Sequence, residues 1–441
     1  MIKKNNDIGV LFIKTALLLL VIALCFGILS AFVYKHASFL KEEINFSSLR
    51  PLHVSTAIFW IILGATGCVY KGIEEYSQQK ANSILGKLQW MLWIIAIAGI
   101  IYSYFIQDFG GREYWEFNPI WALPIAGAWV LFLFNFYSIV RKIKNWPVYI
   151  WMWVTGITFF LFCFIENYLW QFSYFRENFV VDMTIQWKVN GSLVGAWNQM
   201  LYGTAFYLMD KIDNKKSIGS SKIAFFLYFL GLFNLMFNWG HHIYTLPTEK
   251  YIRYIGYIVS MTEWVFFIKI IYNWKSEVSI INKLKYNYPY KFLAATNVWV
   301  FINMGQAILM SIPALNLYTH GTHVTVAHAM GTTIGINSMI LLAACFIFLH
   351  PDKDKIKNDS KYLNFAFWTL QISLTIFWLA LNWAGIEKGI WQLNPNSSSF
   401  SVMMRQLQLQ FTIFLIAGFG IFISMLMLIQ VLLIPKNKTR N

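Results

Sequence analysis

Three short stretches of this 441-residue chain carry side chains able to hold a metal. Trp239-Gly240-His241-His242 sets two imidazoles side by side. On one α-helix adjacent residues project about 100° apart, so both rings could reach a single metal in a packed bundle. An interfacial pair facing lipid headgroups is the plainer alternative. Thr319-His320-Gly321-Thr322-His323-Val324-Thr325-Val326-Ala327-His328-Ala329-Met330 is the second stretch. Residues i and i+2 project to nearly opposite helix faces, so His328 and Met330 could ligate two different haems flanking one helix. A satisfied core histidine beside a filler methionine is the alternative. His320 and His323 fall in a loop or first turn, suited to haem propionates or to a plain interfacial role. Arg50-Pro51-Leu52-His53 is the third stretch. There a histidine could be an axial haem ligand, or simply interfacial. Arg50 could neutralise a propionate, or anchor the helix.

Carboxylates add a second layer. Glu263, in Ser260-Met261-Thr262-Glu263-Trp264, lies mid-way along an apolar run. An unpaired carboxylate there is costly, which favours a proton-transfer or metal-adjacent role. Glu166 is closer to the end of its run and says less. Gly110-Gly111-Arg112-Glu113-Tyr114-Trp115-Glu116-Phe117 holds two carboxylates that could bind a hard cation such as calcium, or be solvated.

These residues must be positioned by membrane helices. Hydrophobic residues make up 58% of the chain and charged residues 12%, against about 25% charged in soluble domains. Disorder, fibres and small disulfide scaffolds are thereby excluded. A bilayer core needs about 20 apolar residues per helix. The runs that qualify are 9–34, 52–70, 87–106, 119–140, 147–169, 184–209, 222–244, 252–273, 291–313, 322–349, 363–384 and 409–434. The expectation is an all-α, polytopic membrane protein of twelve transmembrane helices. Residues 1–441 would form a single transmembrane helical domain without a soluble domain. The first run is read as a retained span rather than a signal peptide. Cys25, Cys68, Cys163 and Cys345 all lie in apolar runs and form no CxxC or CxxCH motif. Neither a disulfide framework nor an attached c-type haem follows from them.

The net charge of +15 fits basic cytoplasmic loops and calls for no nucleic-acid partner. Lysine and arginine cluster after spans 4, 6, 8 and 10 and in both tails, so both termini are expected to be cytoplasmic. On that orientation His53, His241, His242 and His328 fall at similar depth in the outer third of the bilayer.

Together these residues resemble the haem–copper oxidase superfamily, and within it the large, catalytic subunit of nitric oxide reductases. The resemblance spans nearly the whole chain. It rests on Arg50 to His53, the Gly111 to Glu116 loop, Gly240-His241-His242, Glu263, and Pro313 followed by His320-Gly321-Thr322 and Ala327-His328. It implies the helical subunit I architecture around a low-spin haem b and a high-spin haem b. His53 would be an axial ligand of the first and His328 the proximal ligand of the second. His241 and His242 would hold non-haem iron, with copper the weaker alternative. Glu263 corresponds to a buried glutamate near that metal, and Glu113 to a calcium-ligand glutamate.

Three departures stand out. The family's third metal-ligating histidine is absent from span 6, where aligning on Gly195 and Trp197 puts Asn190 in the slot; a one-residue shift would put Gly191 there. The reductases' span-6 glutamate becomes Val194. The low-spin haem's second ligand, normally histidine, is offered here as Met330. An amide oxygen should weaken and open the non-haem site, and a methionine ligand should raise the haem potential. The implied activity is reduction of two nitric oxide molecules to nitrous oxide in a bacterial inner membrane. Electrons would come from a cytochrome c-type subunit or soluble donor. Disproportionation of nitric oxide to dinitrogen and oxygen, a non-catalytic haem protein that binds nitric oxide, and an unrelated transporter are the rival readings. Oxygen reduction is the weakest enzymatic reading, because residues Ala294 to Pro313 contain no tyrosine to serve the metal site.

Overall fold

The structure is a computed structural model that describes residues 7–36, 38–40, 43–214, 217–262, 264–350, 360–394 and 396–434. Its helices in chain order are α1 (Ile8–Lys35), α2 (Phe46–Ser77), α3 (Ser83–Phe105), α4 (Ala122–Val140), α5 (Val148–Glu166), α6 (Phe179–Asp213) and α7 (Lys222–Phe237). They continue with α8 (Lys250–Thr262), α9 (Trp264–Glu277), α10 (Asn287–Ser311), α11 (His323–Met330), α12 (Met339–Leu349), α13 (Ser360–Leu393) and α14 (Gln408–Leu433). Ten stretches of described residues are long and apolar enough to cross a bilayer. The sixth and eighth expected spans are not among those ten. α6 runs for 35 residues but carries Asp182, Lys188, Asn190, Asn198, Gln199 and Asp210. Glu263 lies outside the described residues, and the eighth span is described on either side of it as α8 and α9. The protein is an all-α integral membrane protein, and its helices are consistent with the twelve expected runs.

Local chemistry sets the ends of these helices. The side chain of Asn82 accepts from the amides of Ile84 and Leu85 at the start of α3. Asn178 accepts from Val180 and Val181 at the start of α6, and Thr322 from Val324 at the start of α11. Each satisfies amides that the first turn leaves without partners. α6 ends at Asn214 in a left-handed conformation (φ 57°), a residue type that tolerates it.

The chain divides into two compact units, residues up to 16 with 58–280, and 17–57 with 281 onward. In the first unit, α5 and α6 pack closely through glycines. A Cβ on Gly156 would fall 2.6 Å from the carbonyl oxygen of Ala196, and one on Gly203 would fall 2.9 Å from the Trp153 ring. Trp153 Nε1 donates to the carbonyl of Met200 at 3.1 Å. A small antiparallel hairpin, β1 (Phe109–Arg112) and β2 (Trp115–Phe117), interrupts the helices. Gly111 has no room for a side chain, since a Cβ would lie 1.8 Å from the Trp115 carbonyl oxygen. Arg112 Nη2 bonds Asp182 at 2.7 Å and its guanidinium lies 4.9 Å from the Trp170 ring centroid, tying the hairpin to α6. In the second unit, α13 lies along α14, and α10 packs on the α11–α12 segment. Between α11 and α12 the backbone widens into a π-helix, Gly331–Ser338. The four cysteines are free thiols.

Candidate metal and haem site

The site residues fall into two groups, one in each unit. In the first unit His241 and His242 lie on a 3-10 segment, Asn238–Ile243, that continues α7. The sequence suggested an α-helical pair about 100° apart, but a 3-10 turn of three residues winds more tightly and rotates each step further. Glycine contacts set that tightening. A Cβ on Gly240 would be 3.2 Å from the Ile252 carbonyl oxygen and 3.3 Å from the Cα of Gly256, so the turn sits directly on α8. The two imidazole centroids are 4.2 Å apart. Trp187 of α6 stacks on His242, with centroids 5.0 Å apart and planes 5° from parallel.

Trp187, Asn190 and Gly191 share one turn of α6. Gly191 faces the same segment, 3.1 Å from the Cβ of Trp239 if a Cβ were added. Asn190 is 7% exposed, and its Oδ1 is buried without a hydrogen-bond partner. A buried amide oxygen left unbonded costs roughly 1–3 kcal/mol. This donor is therefore free to satisfy an electrophile such as a metal ion. Among the described residues no three His, Cys, Asp or Glu side chains converge. Two imidazoles with a neutral oxygen donor on the adjoining helix are what this unit offers. Beside them Lys188 of α6 forms an ion pair with Glu166 of α5. The second carboxylate oxygen of Glu166 is buried without a partner. Glu113 is half-buried in the turn between the hairpin strands.

In the second unit His53 lies in the second turn of α2, seven residues in, because the helix begins at Phe46. Its Nδ1 lies 2.8 Å from the carbonyl oxygen of Ala23. A carbonyl only accepts, so Nδ1 carries the proton and Nε2 keeps the lone pair a metal needs. Gly27 makes room for the ring, since a Cβ there would be 2.8 Å from His53 Cε1. Arg50 is half-buried one turn earlier. His328 lies on α11, half-buried, and its Nδ1 is buried without a hydrogen-bond partner. Met330 is the last residue before the π-helix. His323 opens α11, and its Nε2 is 3.0 Å from the Tyr34 hydroxyl. His320 precedes that helix, and burial holds its imidazole below the ordinary histidine pKa.

Sequence reasoning missed several of these partners. The Ala23 carbonyl, Gly27 and Tyr34 lie too far along the chain to be read from local spacing. Trp187 was accessible, because it precedes Asn190 by three residues and so shares its helix turn.

A histidine with one nitrogen fixed by a carbonyl, and a histidine pair stacked on the helix turn that carries an unbonded amide oxygen, are groups chemically suited to metal ligation. The family model described as cytochrome c and quinol oxidase polypeptide I matches residues 7–430. The chain belongs to that family of haem-binding membrane oxidoreductases. It is 24% identical over 443 residues to a nitric oxide reductase subunit of Stutzerimonas stutzeri, covering 91% of this chain and 89% of that protein. It is 22% identical over 399 residues to cytochrome c oxidase subunit 1 of Rhodobacter capsulatus, covering 84% and 73%. A heme-copper terminal oxidase dimer has the same fold, with a TM-score of 0.74 at 13% identity over 99% of this chain and 86% of that one.

Proposed function

We propose that this protein reduces nitric oxide to nitrous oxide, joining two NO, two electrons and two protons into N2O and water. The observation that carries the reading is the buried, unbonded amide oxygen of Asn190 on the helix turn that stacks against His242. An oxygen donor beside two imidazoles suits iron better than copper in its reduced state. The similarity to the Stutzerimonas stutzeri nitric oxide reductase over most of both chains points the same way.

In this reading two haems b and a non-haem iron, when bound, supply the electron-transfer chemistry. His53 and Met330 would hold the low-spin haem, and His328 the high-spin haem. The Ala23 carbonyl holds the His53 ring in the tautomer that ligation requires. His241, His242 and Asn190 would hold the iron, with Trp187 fixing the ring plane of His242. Glu263 would carry a proton to the bound substrate. Arg50 would neutralise a haem propionate, and Glu113 would hold calcium. Electrons would arrive from a cytochrome c-type subunit or soluble carrier. The chain would lie in a bacterial inner membrane with both termini in the cytoplasm.

One observation favours a second reading. α6 bears Asn190 and, one turn on, Val194, and neither side chain can donate a proton at neutral pH. Disproportionation of two NO to dinitrogen and oxygen consumes neither protons nor external electrons. Isotope-labelled nitric oxide, supplied with and without reductant to protein of known haem and iron content, separates the readings. Labelled N2O only with reductant supports reduction. Labelled dinitrogen and oxygen without reductant support disproportionation. Bound haem with no second metal and no product would mean a haem protein that only binds the gas.

A further inference from the structure

We propose that Asn303 is a positioning residue that fixes, through Thr332 and the π-helix, the direction in which His328 and Met330 point. The inference rests on the ligand reading of those two residues, and its test separates the two.

The contacts form an unbroken path. Asn303 of α10 is 2% exposed, and its Nδ2 donates to Thr332 Oγ1 at 2.8 Å. Thr332 Oγ1 in turn donates to the main-chain carbonyl of His328 at 3.2 Å. Thus one buried amide reaches the backbone of the histidine through a single hydroxyl.

The backbone between them is unusual. Met330 is the last α-helical residue, and Gly331–Ser338 then follow π geometry. An i to i+5 ladder places more residues in each turn, so helix on one side is out of phase with helix on the other. His328 and Met330 lie before the phase change, and the long buried α12 lies after it. Whatever holds the π segment sets the rotation of both candidate ligands relative to that anchor.

What holds it is α10. A Cβ on Gly331 would fall 2.2 Å from Asn303 Oδ1, and one on Gly335 would fall 2.6 Å from the Trp299 ring. The two glycines, four residues apart, press the segment against two α10 residues that are also four apart. Trp299 is itself fixed by donating from Nε1 to Gln371 Oε1 at 3.0 Å, and Gln371 Nε2 reaches Met339 Sδ at 3.4 Å. Ser338 Oγ donates to the Thr333 carbonyl at 2.8 Å, linking the far end of the segment back to its third residue. Trp299 and Gln371 lock the end nearest α12, which leaves Asn303 and Thr332 to lock the end nearest the ligands.

The test uses the full, haem-loaded protein carrying Thr332→Val, Thr332→Ser or Asn303→Leu. Thr332→Val is nearly isosteric, and Thr332→Ser keeps the hydroxyl, so neither depends on a drastic substitution. One readout is amide hydrogen exchange over residues 328–338. The other is the near-infrared magnetic circular dichroism of the low-spin haem, which reports the axial ligand pair. The expectation is exchange about five- to tenfold faster in Thr332→Val, as for a lost hydrogen bond. A displaced or lost histidine–methionine band should accompany it, with both properties restored in Thr332→Ser. Asn303→Leu should act in the same direction and more strongly. Unchanged exchange and spectrum in Thr332→Val and Asn303→Leu would overturn the proposal. Faster exchange with an unchanged band would also overturn it, because the contacts would then serve packing alone. A parent protein with no histidine–methionine band would refute the ligand reading of Met330, and the positioning role with it, whatever the exchange rates.

Discussion

The two groups of candidate ligands are held in different ways. In the second unit the histidines sit within or at the start of regular helices and are engaged through main-chain atoms: the His53 ring by the Ala23 carbonyl beside Gly27, and His328 at its own carbonyl, which accepts from Thr332. In the first unit the histidines sit on a tight 3-10 turn and are held by ring stacking and glycine contacts, beside an amide whose oxygen bonds nothing. Main-chain clamps admit little variation in the ring they orient. A stacked pair with one open donor position admits a change of ligand without a change of fold.

Perturbing each group should show that contrast, and the largest effect belongs to the clamped one. His53→Leu should lose the low-spin haem, seen as one haem instead of two in extracted pigment, and turnover from an external donor should fall to background. Retention of both haems would remove His53 from the ligand set. Asn190→His should tighten binding of the second metal by about tenfold or more, since imidazole replaces a weaker donor. Metal retention during chelator dialysis measures this, and no change would place Asn190 away from the metal. Trp187→Leu should loosen His242 and weaken the same metal by about tenfold while leaving both haem spectra as they are. Gly27→Val should crowd the His53 ring at a cost of about 1–3 kcal/mol, read as a lower melting temperature for the haem-loaded form.

The smallest effect concerns His320. Burial lowers its folded pKa below the ordinary value of 6.5. As pH falls below 6.5 the unfolded chain takes up the proton first, so stability declines until the folded pKa is reached. The slope is at most about 1.4 kcal/mol per pH unit. His320→Gln should flatten that part of the stability profile, and an unchanged profile would assign the acid sensitivity elsewhere.

Much of this contrast could be read from the chain before folding. Span positions follow from apolar length alone, and the helices fall on the expected runs because a bilayer leaves few other solutions. The histidines, Asn190 and the hairpin glycines stood out by residue type. The geometry that makes them useful did not. The 3-10 winding at His241 depends on the approach of Gly256 from the next helix. The π-helix after Met330 depends on α10, more than twenty residues upstream. The tautomer of His53 depends on a carbonyl thirty residues away. Each is a tertiary contact, invisible to spacing along one helix.

The most direct test of the account is gas mass spectrometry of the purified, haem- and iron-loaded protein exposed to isotope-labelled nitric oxide. The account predicts labelled nitrous oxide only when an electron donor is added, with turnover lost on removal of the iron. Labelled dinitrogen and oxygen formed without a donor, or nitrous oxide formed at the same rate after iron removal, would contradict it.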